Sequence, residues 1–198
     1  MNFFQRHHVQ DPKFISVLFN DPRFSVLWLV LRVWLGWQWL TSGWGKLQNP
    51  AWTDGGTALL GYWERAVEIP EGGRPAITFG WYRDFLQGMI DANAHTWFAQ
   101  LIVWGEILVG VALILGAFTA IAAFGGAVMN FNFMLAGSAS TNPVLFLAAL
   151  ILIFAWKTAG YIGLDHWLLP LIGTPWGRGA YKAPEAAPRQ ASRQAAGD

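Results

Sequence analysis

The chain has 198 residues, 54% of them hydrophobic and 13% charged, with a mean hydropathy of +0.33; a soluble domain carries about 25% charged residues. A net charge of +1 gives no electrostatic case for nucleic acid. The absence of cysteine rules out disulfides, thiol relays and cysteine-ligated iron–sulfur clusters on this chain.

Residues 1–23 read as a polar tail, with Arg6, His7, His8, Asp11, Lys13 and Asp21 around a short apolar run at 14–19. No small-residue cleavage site follows a short apolar core. The expectation is therefore an uncleaved first helix that serves as its own insertion signal. A membrane span needs about 20 mostly apolar residues, and four runs qualify: 24–44, 97–118, 119–137 and 143–161. Thr96 is placed to cap the second. Asn142 followed by Pro143 is a helix start signal for the fourth. The second and third runs are separated by Leu-Gly-Ala-Phe-Thr-Ala, and the third and fourth by Gly-Ser-Ala-Ser-Thr-Asn-Pro. Short connections make antiparallel neighbours. The predicted fold is all-α: a polytopic membrane protein with an up-down four-helix transmembrane bundle occupying residues 24–170.

The connection at 46–96 is long and patterned. Residues 57–67 read as a short amphipathic helix. Residues 81–93 set Tyr82, Phe85, Leu86, Met89 and Ile90 on one helical face, with Arg83, Asp84 and Asp91 elsewhere. These helices are expected to cap the outer face of the bundle; an ordinary folded loop is the alternative. Residues 163–176 look interfacial, with Asp165 able to cap a short helix. From Gly177 the composition predicts an unstructured tail, so 171–198 form an interfacial end and a cytoplasmic tail. The tails carry Arg6, Lys13, Arg23, Arg178, Lys182, Arg189 and Arg193. The 46–96 segment carries Lys46, Arg65, Arg74 and Arg83 among six acids. This bias puts both termini in the cytoplasm and the cap outside an integral cell membrane. Trp28, Trp44, Trp97 and Trp167 are expected to anchor at the interfaces.

A charge inside an apolar run of membrane length is a functional-site hypothesis with a partner to be found. Arg32 is such a charge, Glu106 is another, and Asn130 with Asn132 lies on the third run. Counting from the ends of each run, Arg32 lies about 12 Å from the cytoplasmic boundary, with Glu106 and Asn130 somewhat deeper, near mid-membrane. Arg32 is therefore expected to reach Glu106, with Asn130 beside them, while Lys157 snorkels to the inner interface. Lys46, ~20 Å further along the first helix, is expected to be a separate cation at the outer rim. Small residues line up with the polar ones: Arg32, Gly36, Trp39 and Gly43 on the first run, Glu106, Gly110 and Ala117 on the second, and Ala123, Gly126, Asn130 and Gly137 on the third.

Two readings stay open. In one, Arg32–Glu106 is a buried ion pair that fixes packing. In the other, the same groups line a small pocket walled by Trp34 or Trp37, Trp39, Trp104 and Phe133, which binds a small ligand or a quinone headgroup or relays a proton. No helix interior carries a histidine, so bis-histidine haem has no ligands, and no Cys/His cluster is available for zinc. His95 with Asp91 is one turn of helix apart and reads as a solvated face.

Several elements resemble the DoxX/DoxD family of small four-span membrane proteins. They are Arg32…Gly36…Ser42-Gly-Trp-Gly-Lys46, then Gly105-Glu106…Gly110…Leu115-Gly-Ala-Phe-Thr119, then Met129-Asn-Phe-Asn-Phe-Met134, and Ala159-Gly-Tyr-Ile-Gly-Leu-Asp165. The similarity covers about residues 24–170, and the long 46–96 segment is similar to that of DoxD-like members. Members related to DoxD include the membrane subunit of a thiosulfate:quinone oxidoreductase. Others are associated with redox or sulfur-stress complexes, and many have no established activity. The resemblance implies a membrane subunit of a quinone-linked oxidoreductase acting on small reduced compounds, sulfur compounds among them. Arg32, Lys46, Glu106 and Asp165 would occupy the family's polar positions, and quinone and a partner redox subunit or a second copy would be the partners. In this reading Arg32 and Glu106 carry the chemistry, and Trp37, Trp39, Trp104, Asn130 and Lys46 bind ligand. A non-catalytic scaffold, or an assembly subunit with a structural Arg–Glu pair, is the alternative. A carrier ranks last, since the sequence shows no continuous polar path and no inverted repeat.

Overall fold

Helix formation follows the apolar periodicity closely. A computed structural model describes residues 11–173, and every regular element among them is helical. The expected tail beyond Gly177 lies outside the described residues. In chain order the helices are α1 (Lys13–Asn20), α2 (Ser25–Leu47), α3 (Pro50–Thr53), α4 (Thr57–Val67), α5 (Gly80–Asp91), α6 (His95–Leu115), α7 (Thr119–Leu135), α8 (Asn142–Phe154), α9 (Trp156–Ala159) and α10 (Asp165–Leu171). A 3₁₀ turn at Pro22–Phe24 joins α1 to α2.

The long helices pack side by side. α2 lies along α6 and α7 along α8, while contacts of α6 with α7 and of α2 with α8 close a ring. Leu35, Leu113, Ala123, Ala149 and Leu152 fill its centre. The outward faces are apolar: Val30, Leu108, Ile121, Phe124, Leu147 and Phe154 range from 58% to 71% exposed. Monomeric soluble proteins rarely expose an apolar surface on that scale, whereas hydrocarbon accommodates it. By length and composition α6 is able to cross a membrane alone, and α1 with α2 passes as a pair bent by 60°. α7 and α8 are shorter apolar helices.

The bend has a local cause. Asp21 accepts from Arg23 N at 2.9 Å, and Pro22 cannot continue α1. α1 then folds back onto the ring. Phe19 stacks on Trp28 at 5.3 Å, Trp28 Nε1 donates to Leu18 O at 3.3 Å, and Thr158 Oγ1 donates to Phe19 O at 2.9 Å. Two expectations are corrected here. Residues 13–20 are helix rather than simple tail, and Trp28 is 3% exposed, a core residue and no interface anchor.

The 46–96 segment is a folded cap with its own core. Leu59, Trp63, Ile77, Tyr82 and Leu86 pack on Ala99 and Ile102 of α6. Tyr62 Oη donates to Phe133 O at 3.3 Å, and Tyr82 Oη lies 3.1 Å from Asn132 O, so both tyrosines hold the cap to the end of α7. His95, expected on a solvated face, is 7% exposed, because the chain at Gly56 packs against its backbone.

Glycines set the register of α2 against α6. An added Cβ at Gly36 would stand 2.9 Å from Gly110 O, and one at Gly43 would stand 3.0 Å from Glu106 Cβ. One at Gly110 would meet Leu40 backbone in turn. The two backbones therefore touch along about two helical turns, as small residues permit. Gly43 is level with Glu106, and Arg32 is carried to the far end of α6.

Candidate functional site: a polar cavity between the helices and the cap

That register decides which charges meet. Lys46 sits in the last turn of α2, one turn beyond Gly43 and on the same face. Its Nζ lies 2.8 Å from Glu106 Oε1 and 2.6 Å from Oε2, and it donates to Ser42 Oγ at 2.8 Å. The Lys46 side chain is 20% exposed and that of Glu106 is 1% exposed. Trp52, on α3, places its ring 5.2 Å from the same ammonium, a cation–π contact that supports the charge.

The ion pair forms part of the wall of a cavity of about 760 Å³, within the range of small-molecule sites. Trp39 and Gln38 line it from α2, Tyr62 and Arg65 from α4, Asn130 and Phe133 from α7, and Ser138 and Asn142 from the turn into α8. Glu106 is the single carboxylate among the lining residues, and Lys46 and Arg65 are the cations. Asn130 is fully buried, and neither its Nδ2 nor its Oδ1 has a hydrogen-bond partner among the described residues. Trp39 is 3% exposed and its Nε1 is likewise unpartnered. Each such group costs about 1–3 kcal/mol when nothing answers it. Gly126, one turn before Asn130, lets the Trp39 indole approach α7: an added Cβ would stand 2.9 Å from Nε1. The cavity wall thus carries an ion pair, and the two residues whose buried N–H donors and amide oxygen are unpartnered, Trp39 and Asn130, stand among its lining.

The expected Arg32–Glu106 pair is not formed. Equal depths for the two residues require the end of α2 and the start of α6 to share a boundary. In the structure the first turns of α6 are buried under the cap, so Glu106 lies opposite the last turns of α2. Lys46 is accordingly no isolated rim cation but the partner of Glu106. Trp37 and Trp104, expected as pocket walls, are 58% and 51% exposed and point away from it. Each stands two positions from a buried residue, Trp39 and Glu106, and two positions on a helix is more than half a turn. Trp39, Asn130, Phe133, Lys46 and Glu106 are brought together.

Arg32 belongs to a second, closely packed cluster at the opposite end of α2. Its Nη2 donates to Ile162 O at 2.7 Å, and the Asp165 carboxylate lies within electrostatic reach. Asp165 spends both oxygens on the start of α7, accepting from Phe118 N at 2.5 Å and Thr119 N at 2.9 Å. It caps a helix 46 residues upstream rather than its own, whose start has no side-chain cap bond. Leu164 N and Asp165 N donate to Leu115 O and Gly116 O, which fastens the α6–α7 turn to the segment after α9. Side chains at Gly116 or Gly163 would overlap the guanidinium, and one at Gly160 would overlap the Asp165 carboxylate. This packing makes the cluster a clasp around the guanidinium, whose Nε and Nη1 have no hydrogen-bond partner among the described residues. No group of three metal-ligating side chains occurs among the described residues.

The fold and the apolar outward faces define an all-helical membrane protein. The DoxX family model matches residues 27–139, more than half of the chain and the part that runs from α2 to the end of α7. The chain belongs to the DoxX family. No curated protein and no solved structure matches it. The matched segment holds Arg32, Lys46, Glu106, Gly110, Gly116 and Asn130, whereas Asp165 lies beyond it.

Proposed function

We propose that this chain is a four-span membrane subunit of a quinone-linked oxidoreductase, and that its polar cavity holds the quinone ring. The spans would be α2, α6, α7 and α8 with α9, the cap would lie outside, and both termini would be cytoplasmic. The apolar outward faces and the Lys/Arg bias support this arrangement. The observation that carries the functional reading is that two residues with unpartnered buried donors, Trp39 with Nε1 and Asn130 with Nδ2, stand in the lining of a cavity whose wall also contains an ion pair. Two N–H donors suit the two carbonyl oxygens of a quinone, and Trp52, Tyr62 and Phe133 suit its faces. A quinone accepts two electrons and two protons. Glu106 is the carboxylate in the wall, held by Lys46, past which both protons would reach the quinone in turn from water in the cavity. The electrons would come from a small reduced compound, with sulfur anions a fitting class for the Lys46 and Arg65 cations, or from a partner subunit. With no cysteine on this chain, it contributes no cysteine-ligated cluster.

The second reading, a non-catalytic scaffold, is favoured by one feature: Lys46 satisfies both Glu106 oxygens without any ligand. Asn130→Leu separates the two. The substitution removes an unanswered amide and raises the stability of the ligand-free protein by about 1–3 kcal/mol. If the cavity is a ligand site, it also weakens binding of a tailless oxidised quinone by about tenfold or more, read by calorimetry in nanodiscs. The stability gain is expected in either reading, since the amide is unpartnered in the structure; absence of saturable quinone binding in the parent protein would favour the scaffold.

A further inference from the structure

A second cavity adjoins the first. It measures about 190 Å³ and lies beneath the cap, between α4 and α5 on one side and α6 and α7 on the other. Trp63, Leu86, Met89, Phe98 and Ile102 give it an apolar lining. Its few polar groups are already engaged: Tyr82 Oη with Asn132, Tyr62 Oη with Phe133 O, and Asn132 Nδ2 with Val128 O at 2.8 Å. Tyr62 and Phe133 line both cavities, so the two share a wall. At its other side the apolar cavity is rimmed by Phe85, Leu101 and Val128, which are 50%, 56% and 43% exposed and lie on the outward apolar face of the molecule.

From this adjacency we infer that the ligand is an amphiphile: its polar ring occupies the cavity of Lys46, Glu106 and Asn130, its hydrocarbon chain occupies the cavity beneath the cap, and the Tyr62 and Phe133 side chains that part the two move aside to admit it. This rests on the reading of the polar cavity as a ring site. The ligand would enter sideways from the lipid between α6 and α7, pass Tyr62 and Phe133 ring first, and leave its chain behind. A cavity of ~150 Å³ accommodates a benzene-sized molecule, so the space fits about one isoprene unit, with further units running out past Leu101 and Val128 into lipid. The cap helices would then roof the chain, which explains why an extramembrane segment carries an apolar core directly over a bilayer-facing cleft.

The test compares a tailless quinone with the same ring bearing one or two isoprene units, on the full chain in nanodiscs. The parent protein is set against Leu101→Trp and Val128→Trp, both on the half-exposed rim of the apolar cavity, where a larger ring narrows the exit the chain would use. The inference expects the tailed quinone to bind the parent protein at least about tenfold tighter. It also expects that advantage to fall away in either variant, while the equilibrium affinity for tailless quinone, which leaves the chain cavity empty, is unchanged. Equal affinities for tailed and tailless quinone in all three proteins would overturn the chain site and leave the ring site standing. The same holds if the tailed advantage survives both substitutions. Absence of saturable binding by either quinone would overturn the ring site and the chain site together.

Discussion

At the scale of single residues, the polar positions of the membrane region divide into two kinds. Arg32 and Asp165 are packed against glycines, whereas Lys46, Glu106, Asn130 and Trp39 belong to the lining of a cavity. Gly116 shows how tight the first kind is. It has φ 69°, and an added Cβ would fall on the Arg32 guanidinium. Gly116→Ala is expected to cost about 2–4 kcal/mol, combining a left-handed alanine with overpacking. Gly45, in the same sequence motif as Lys46, has nothing within 4 Å of its added Cβ. Gly45→Ala is therefore expected to be neutral or to stabilise α2 by up to ~1 kcal/mol. Thermal unfolding in detergent compares the two directly. The Lys46 partnership is partly legible in the amino-acid pattern. Arg32, Gly36, Trp39 and Gly43 form a stripe with helical spacing, and continuing it by three residues reaches Lys46. The partner of Arg32 is not legible there. It is a backbone carbonyl at Ile162, 130 residues away, and no side-chain pattern announces a carbonyl.

At the scale of elements, amphipathic spacing locates the cap helices well: a helix at Thr57–Val67 matches the expected 57–67, and Gly80–Asp91 overlaps the expected 81–93. Where the cap sits has no such signal, because docking depends on contacts to α6 and α7 that leave no local signature. Those contacts include two tyrosines. Burial raises the Tyr62 hydroxyl, and burial together with Tyr62 pushes Tyr82 up to about 12. In the unfolded chain both would ionise near pH 10. Below that pH the folded and unfolded states hold the same protons and the docking is unaffected. Between pH 10 and about 12 the folded state keeps protons that the unfolded state releases, so stability falls as pH rises. Unfolding at about pH 9 and about pH 11 should show this loss, and Tyr82→Phe should reduce it. A Tyr82→Phe protein with the full parental pH dependence would contradict the assignment.

At the scale of the whole molecule, α2 and α6 act as a scaffold whose glycine contacts fix a register, and that register separates a structural end from an open end. The all-helical class is legible in the sequence because apolar runs of this length have few other solutions. The position of the site is not, because run lengths alone imply equal helix boundaries, whereas the cap buries the first turns of α6. The same division makes a spatial prediction: ligand belongs at the cap end, far from Arg32. The most direct measurement is photo-cross-linking with an azido-quinone in the intact membrane, followed by mapping of the labelled peptides. Label on segments containing Trp39 to Trp52, Tyr62 or Asn130, competed by unlabelled quinone and lost in Glu106→Gln or Asn130→Leu, is the predicted result. Competable label confined to Arg32, Gly116 and the segment around Asp165 would contradict the account, as would label that no competitor displaces.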